Sequence, residues 1–133
     1  MQQLRCLIVD DERHCRLELT WQLEKIAGVS VIGNCCSLRQ GQETIQRIKP
    51  DALFLDVRIG MHSGFELLKI LPNPPIVVFV TAFDEFASQA FQTNAVDYLL
   101  KPVQQNRLQA AVERIRRQLC QRQVHVSLPA AAQ

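Results

Sequence analysis

Five short apolar runs, each followed by a segment of helical periodicity, constrain this chain more than any other feature. The runs occupy residues 4–9, 29–33, 52–55, 76–80 and 96–100. Two of them, Ala52-Leu53-Phe54-Leu55 and Ile76-Val77-Val78-Phe79-Val80, contain no polar residue at all. Unbroken apolar runs of this length, bounded by turn residues, suit strands buried on both faces, as in a parallel sheet. Strand–helix alternation repeated along the chain puts helices on both faces of that sheet. Right-handed crossovers then fix most of the topology. The expected fold is α/β, a doubly wound five-stranded parallel sheet.

The helical segments can be read one by one. Cys15, Leu19, Leu23 and Ile26 form one face of a helix that starts at Arg13 and is closed by Gly28. Leu17 and Trp21 lie on a different face, either packed at the helix edge, partly exposed, or open to a partner. Ser37 is placed to cap a second helix reaching Lys49, with Leu38, Ile45 and Ile48 inward and Glu43–Arg47 as a surface i,i+4 pair. Pro50 stops it. Phe65, Leu67, Leu68 and Leu71 stripe a short third helix, ended by the loop Pro72-Asn73-Pro74-Pro75. Phe83, Phe86, Ala87, Ala90 and Phe91 mark a fourth helical face. Leu108, Ala111, Val112, Ile115 and Leu119 mark a fifth, extending towards His125.

At 133 residues the chain is one domain with room for a sizeable core. Residues 1–121 are expected to form that domain, and 122–133, with Pro129 and three alanines, a tail or the start of a linker. A composition 47% hydrophobic and 21% charged excludes a disordered or collagenous chain. The net charge of +2 is too small to make nucleic acid or a membrane surface the main partner. Basic residues do gather late, at Arg107, Arg114, Arg116, Arg117 and Arg122. The five cysteines are odd in number, lack C-x-x-C, and show no Cys/His zinc spacing, so they read as reduced, small apolar groups. No secretory leader is visible and no run nears the roughly 18 apolar residues of a membrane span, so a cytoplasmic location is expected.

The strand ends carry the chemistry. Asp10, Asp11 and Glu12 follow the first run, Asp56 ends the third, Thr81 follows the fourth and Lys101 the fifth. Parallel strands share an end, where open α/β sheets place their ligands, so these side chains should converge on one edge. Singly, each has a plainer reading: an Asp or Thr after a strand caps a helix, and a Lys is solvated. Together they form a set. Clustered carboxylates repel one another unless a cation sits among them. Oxygen ligands without Cys or His point to Mg²⁺, which bridges to phosphate. Asp10 and Asp11 are the metal carboxylates on this reading, completed by Asp56. Lys101 supplies positive charge, Thr81 a hydrogen bond to a phosphoryl oxygen, and Asp56 is left to attack, giving an aspartyl phosphate. Ala82 is small and leaves room for it.

These residues, Asp10-Asp11, Asp56, Thr81-Ala82 and Lys101-Pro102, closely resemble the receiver domain of bacterial two-component response regulators, over about residues 4 to 120. The resemblance implies a flavodoxin-like (βα)5 fold and phosphorylation of Asp56 by a partner histidine kinase. It implies Mg²⁺ (or Mn²⁺) held by Asp10, Asp11, Asp56 and the backbone carbonyl of Arg58, with Lys101 and Thr81 on the phosphoryl group. Such a chain is no conventional enzyme; it catalyses its own phosphorylation and dephosphorylation. Tyr98 matches the family's switch aromatic, moving inward as Thr81 closes on the phosphate, and Lys101-Pro102 is a cis-peptide candidate. Phosphate would bias the face built from the fourth helix, fifth strand and fifth helix towards homodimerisation. The wording from Phe83 to Ala87 and from Asn94 to Val103 resembles receivers that precede a LytTR DNA-binding domain. That domain is absent here, so the chain is expected to be either a receiver cut from such a protein, with output through transcription, or one that works alone. The sequence departs from the family at Ile59-Gly60, where Met-Pro is usual. Arg58 and Phe83 sit where the family tunes phosphoryl lifetime, and a bulky Phe83 is expected to slow hydrolysis.

Two other uses of the same residues are disfavoured. A haloacid-dehalogenase-type phosphatase needs an acid two residues after its nucleophile, and Arg58 stands there. An FMN module would set carboxylates against a flavin phosphate. A degenerate receiver that binds without being phosphorylated is a third alternative, set against a complete acceptor set.

Overall fold

The computed structural model describes residues 3–127. Five parallel strands form the central sheet: β1 (Leu4–Val9), β2 (Val29–Cys35), β3 (Ala52–Leu55), β4 (Ile76–Thr81) and β5 (Asp97–Leu100). They lie in the order β2-β1-β3-β4-β5. The chain therefore reverses its direction of travel between β1 and β3, and the crevice at that switch point is where such sheets bind ligands. The segments after β1 and β3 carry Asp10, Asp11 and Asp56.

Period-two alternation along each strand divides the core into two layers. Cys6, Ile8, Phe54, Val78 and Val80 face α1 (Arg13–Glu24) and α5 (Gln105–Ser127), meeting Leu19, Leu23, Leu108, Val112 and Ile115. Leu7, Val9, Leu53, Leu55 and Phe79 face the other side, where α2 (Leu38–Ile48), α3 (Gly64–Ile70) and α4 (Ala87–Phe91) supply Ile45, Phe65, Leu67 and Ala90. Both faces of β3 are buried, as its unbroken apolar run requires. Each such side chain contributes about 1.5–3 kcal/mol of burial, which anchors the strand ends and the polar groups on them.

Several sequence expectations hold. Ser37 Oγ accepts from Gln40 N and caps α2. The proline cluster is a loop, and α5 runs past His125. Leu17 and Trp21 are exposed, with Lys25 Nζ 3.3 Å from the Trp21 ring centroid. The tail from Pro129 lies outside the described residues.

Others are corrected. Glu43 pairs with Arg39 rather than Arg47. Both arginines lie one turn away on an exposed strip, and either pair is worth only about 0.3–0.5 kcal/mol. The fourth helix is short: Phe83 and Phe86 precede α4, and Phe91 is exposed. Those two rings lie against the Arg58 guanidinium, as described below. Residues 58–63 form a small hairpin between β3 and α3. Arg58–Ile59 pairs antiparallel with His62–Ser63, Ile59 is buried, and Gly60 turns the hairpin at φ +62°. β2 extends two residues beyond Gly33, held by Asp10 N donating to the Cys35 carbonyl. β5 begins at Asp97, after Val96. α1 ends at Glu24, and Gly28 (φ +78°) turns the chain into β2 rather than capping the helix directly.

Candidate functional site

Three of the strand-end residues meet directly. Lys101 Nζ donates to Asp10 Oδ2 and to Asp56 Oδ2, at 2.8 Å each. Both carboxylates are nearly buried, at 5% and 6% exposure. Their position follows from the sheet register: Val9 pairs with Leu55, so the residues after them, Asp10 and Asp56, leave neighbouring strands side by side. Thr81 pairs with Leu100, and Lys101 N donates to the Thr81 carbonyl, which seats the lysine beside the β4 end. The peptide between Lys101 and Pro102 is cis.

The charges perturb one another. Burial alone would lower the Lys101 ammonium pKa, but the hydrogen bonds it donates to Asp10 and Asp56 outweigh it and hold it well above the usual lysine range. Asp10 is shifted upward, because its burial outweighs the help from Lys101. Sharing the ammonium with a second acid leaves Asp10 undercompensated. The other nearby cations are engaged elsewhere. Arg16 Nη1 donates to the Asp10 carbonyl, and the Arg58 guanidinium lies over Phe83 and Phe86, 4.9 and 5.6 Å from their ring centroids.

Asp11 stands apart from this trio. It is exposed, and its Oδ2 accepts from Gly60 N at 2.8 Å. Among the described residues no three acidic, His or Cys side chains form a ready cation cage. The donor set still suits a hard cation: Asp10, Asp11 and Asp56 offer only oxygen, and their charge exceeds what Lys101 supplies. Thr81 is fully buried, and its Oγ1 has no hydrogen-bond partner. An unpaired buried hydroxyl costs about 1–3 kcal/mol, so Thr81 at the β4 end has a hydrogen bond left to donate.

Tyr98 is half-buried beside Phe79, and its hydroxyl donates to the Phe83 carbonyl. The β4–α4 loop is thus held by Tyr98 through the Phe83 carbonyl and by Arg58 through the two rings. Arg58 N–H also donates to Asp56 Oδ1 at 3.3 Å, tying the hairpin to the acid.

A family model described as the response regulator receiver domain matches residues 6–113. The chain belongs to that family. This receiver is 43% identical, over 128 residues, to an uncharacterized response regulatory protein of Shewanella oneidensis, covering 95% of this chain and 54% of that protein. It is 39% identical over 118 residues to the sensory transduction protein LytT of Bacillus anthracis, covering 86% of this chain and 48% of that one. The response regulatory domain of protein mrkE from Klebsiella pneumoniae superposes with a TM-score of 0.79 at 30% identity, covering 88% of this chain and 98% of that one. The receiver spans about half the length of the curated relatives it matches. No helix among the described residues is long and apolar enough to cross a membrane.

Some features of the receiver near the strand ends and on the helices escaped the sequence reading. Gly64 packs so closely on the chain after β3 that a Cβ would run into the Asp56 carbonyl oxygen. Asp97, 1% exposed, is gripped by Arg107 through two hydrogen bonds and approached by Arg114 at 3.3 Å, which joins β5 to α5. Gln22 is buried on the inward stripe of α1. Its spacing of three from Leu19 was a usable signal. Nothing in the sequence paired Asp97 with Arg107.

Proposed function

We propose that this receiver accepts a phosphoryl group on Asp56 from a partner histidine kinase and uses it as a conformational signal. One observation supports this most: the Lys101 ammonium is fixed on Asp56 Oδ2, while the residue whose carbonyl holds the Lys101 main chain, Thr81, carries a buried hydroxyl with no hydrogen-bond partner. In the reaction, an Asp56 carboxylate oxygen attacks phosphorus. A P–O bond to Asp56 forms as the P–N bond to the donor histidine breaks, and that imidazole leaves with the bonding pair. Lys101 neutralises charge on the transferring group, and Thr81 donates to one of its oxygens.

Asp10, Asp11, Asp56 and the Arg58 carbonyl are the groups proposed to hold Mg²⁺, with Mn²⁺ as a substitute. Bound there, the cation would screen the carboxylates from the incoming anion. The same residues would serve the reverse step, in which water hydrolyses the aspartyl phosphate.

Phosphate that recruits Thr81 would alter the β4–α4 loop, which Tyr98 already contacts through Phe83. The face made by α4, β5 and α5 would follow, favouring a homodimer. Residues 1–121 are proposed as the receiver unit. In the whole protein, output would run through a DNA-binding effector and hence transcription, in the cytoplasm.

Beryllofluoride, a stand-in for the phosphoryl group, tests the switch. Added with Mg²⁺, it should shift the amide signals of Thr81, Phe83, Tyr98 and Lys101 and raise the mass measured by light scattering to that of a dimer. Neither change should occur in Asp56→Ala. Identical shifts in that variant would overturn the reading.

A further inference from the structure

We infer that Gln22, a residue of α1 remote in sequence from every strand end, is a positioning residue for the Lys101 ammonium; the inference rests on the function proposed above. Gln22 is 6% exposed, in a helix whose other buried positions are Leu19 and Leu23. A buried carboxamide among leucines is costly unless its polar atoms are paired. Here Gln22 Nε2 donates to the Val103 carbonyl at 2.7 Å. Separately, Gln105 Nε2 donates to the main-chain carbonyl of Gln22 at 2.9 Å. The two bonds lace α1 to the β5–α5 loop and to the first residue of α5, across 81 and 83 residues of sequence.

That loop begins with Lys101. Upstream, the lysine's own N–H is fixed to the Thr81 carbonyl. Downstream, the first tie is Gln22 on Val103. Between these anchors lie only Lys101 and Pro102, so the lysine backbone is held from both sides. Its side chain must still reach two carboxylates at hydrogen-bond distance. Rate in a site of this kind depends on fixed charges, and an ammonium displaced by a fraction of an ångström loses much of its effect. Gln22 also lines a groove of about 420 Å³ between α1 and this loop, shared with Asp10, Lys101, Pro102 and Val103. A load on α1 is therefore transmitted to Lys101 through Gln22.

The test uses Gln22→Met, which keeps the length but cannot donate. The readouts are the phosphorylation rate with acetyl phosphate and Mg²⁺, and the Lys101 ammonium signal in a side-chain ¹H–¹⁵N spectrum, assigned with Lys101→Arg. Gln22→Met should slow phosphorylation about tenfold at saturating phosphodonor, with the Mg²⁺ requirement unchanged, and should weaken the Lys101 signal. A folded variant with a normal rate, or a slow one with an intact Lys101 signal, would overturn the inference. Should Gln22→Met not fold, Gln105→Ala removes the second tie from outside the core. It should move both readouts in the same direction by a smaller factor, and no movement in either would overturn the inference. A wild type that takes up no phosphoryl group rejects the proposed function instead, and the Lys101 signal still decides what Gln22 does.

Discussion

Gly60 N–H donates to Asp11 Oδ2 at 2.8 Å, a bond that a proline at position 60 could not make. The φ of +62° at Gly60 excludes proline for a second reason. The hairpin thus holds an exposed carboxylate aside from Asp10 and Asp56. Asp11→Asn should weaken Mg²⁺ binding by roughly tenfold or more, through loss of a carboxylate ligand. Stability without metal should change by only about 0.5 kcal/mol, as for other exposed sites. Isothermal titration with Mg²⁺ and a urea melt in its absence measure the two quantities.

Gly64 offers a steric test. A methyl group there meets the Asp56 carbonyl and the Leu55 side chain, in a backbone region closed by Gly64 N donating to the Val57 carbonyl at 2.6 Å. Gly64→Ala should cost about 1–3 kcal/mol, the usual range for overpacking. It should also slow phosphorylation, because Asp56 is the group displaced. A urea titration and a phosphorylation time course report on each.

Asp97 supplies a pH test. Burial alone would raise its pKa, but the Arg107 hydrogen bonds, with Arg114 adding charge, hold it below the ordinary carboxylate value. A depressed folded-state pKa gives stability that is full above the unfolded value, about 3.9, and is lost as pH falls through the folded one. Asp97→Asn should therefore be less stable than wild type by about 2 kcal/mol at neutral pH, the scale of hydrogen bonds to a charged group. The gap should shrink below pH ~4. Urea midpoints of both proteins at neutral and acid pH give the comparison.

The Arg58 guanidinium, two residues after Asp56, lies over the Phe83 and Phe86 rings. A contact of this kind is worth about 0.5–1 kcal/mol at an exposed position, which corresponds to a few-fold in rate. Phe83→Ala should shorten the aspartyl-phosphate lifetime by that factor, read from the decay of the phosphorylated mass. A lifetime unchanged in the variant would mean the ring does not shield the phosphoryl group.

The sheet was legible because β3 and β4 carry apolar runs that only a doubly covered strand explains, and their ends named Asp56 and Thr81. Lys101 was legible for the same reason, at the end of β5. What escaped was tertiary. The reach of Gln22 to Val103 and the grip of Arg107 on Asp97 are set by how α1 and α5 lie on the sheet, which periodicity does not specify. The helical spacing from Phe83 to Phe91 misled because aromatic residues at that interval also serve a loop; here Arg58 and Tyr98 both hold the loop. The turning of Asp11 towards Gly60 depends on a two-residue hairpin that a polar stretch did not announce.

Intact-mass measurement with acetyl phosphate and Mg²⁺ tests the central claim most directly. Wild type should gain the mass of one phosphoryl group, Asp56→Asn should gain none, and Lys101→Ala should gain it far more slowly. A wild type that stays unmodified, or an Asp56→Asn variant that gains the same mass, would contradict the assignment of Asp56 as the acceptor.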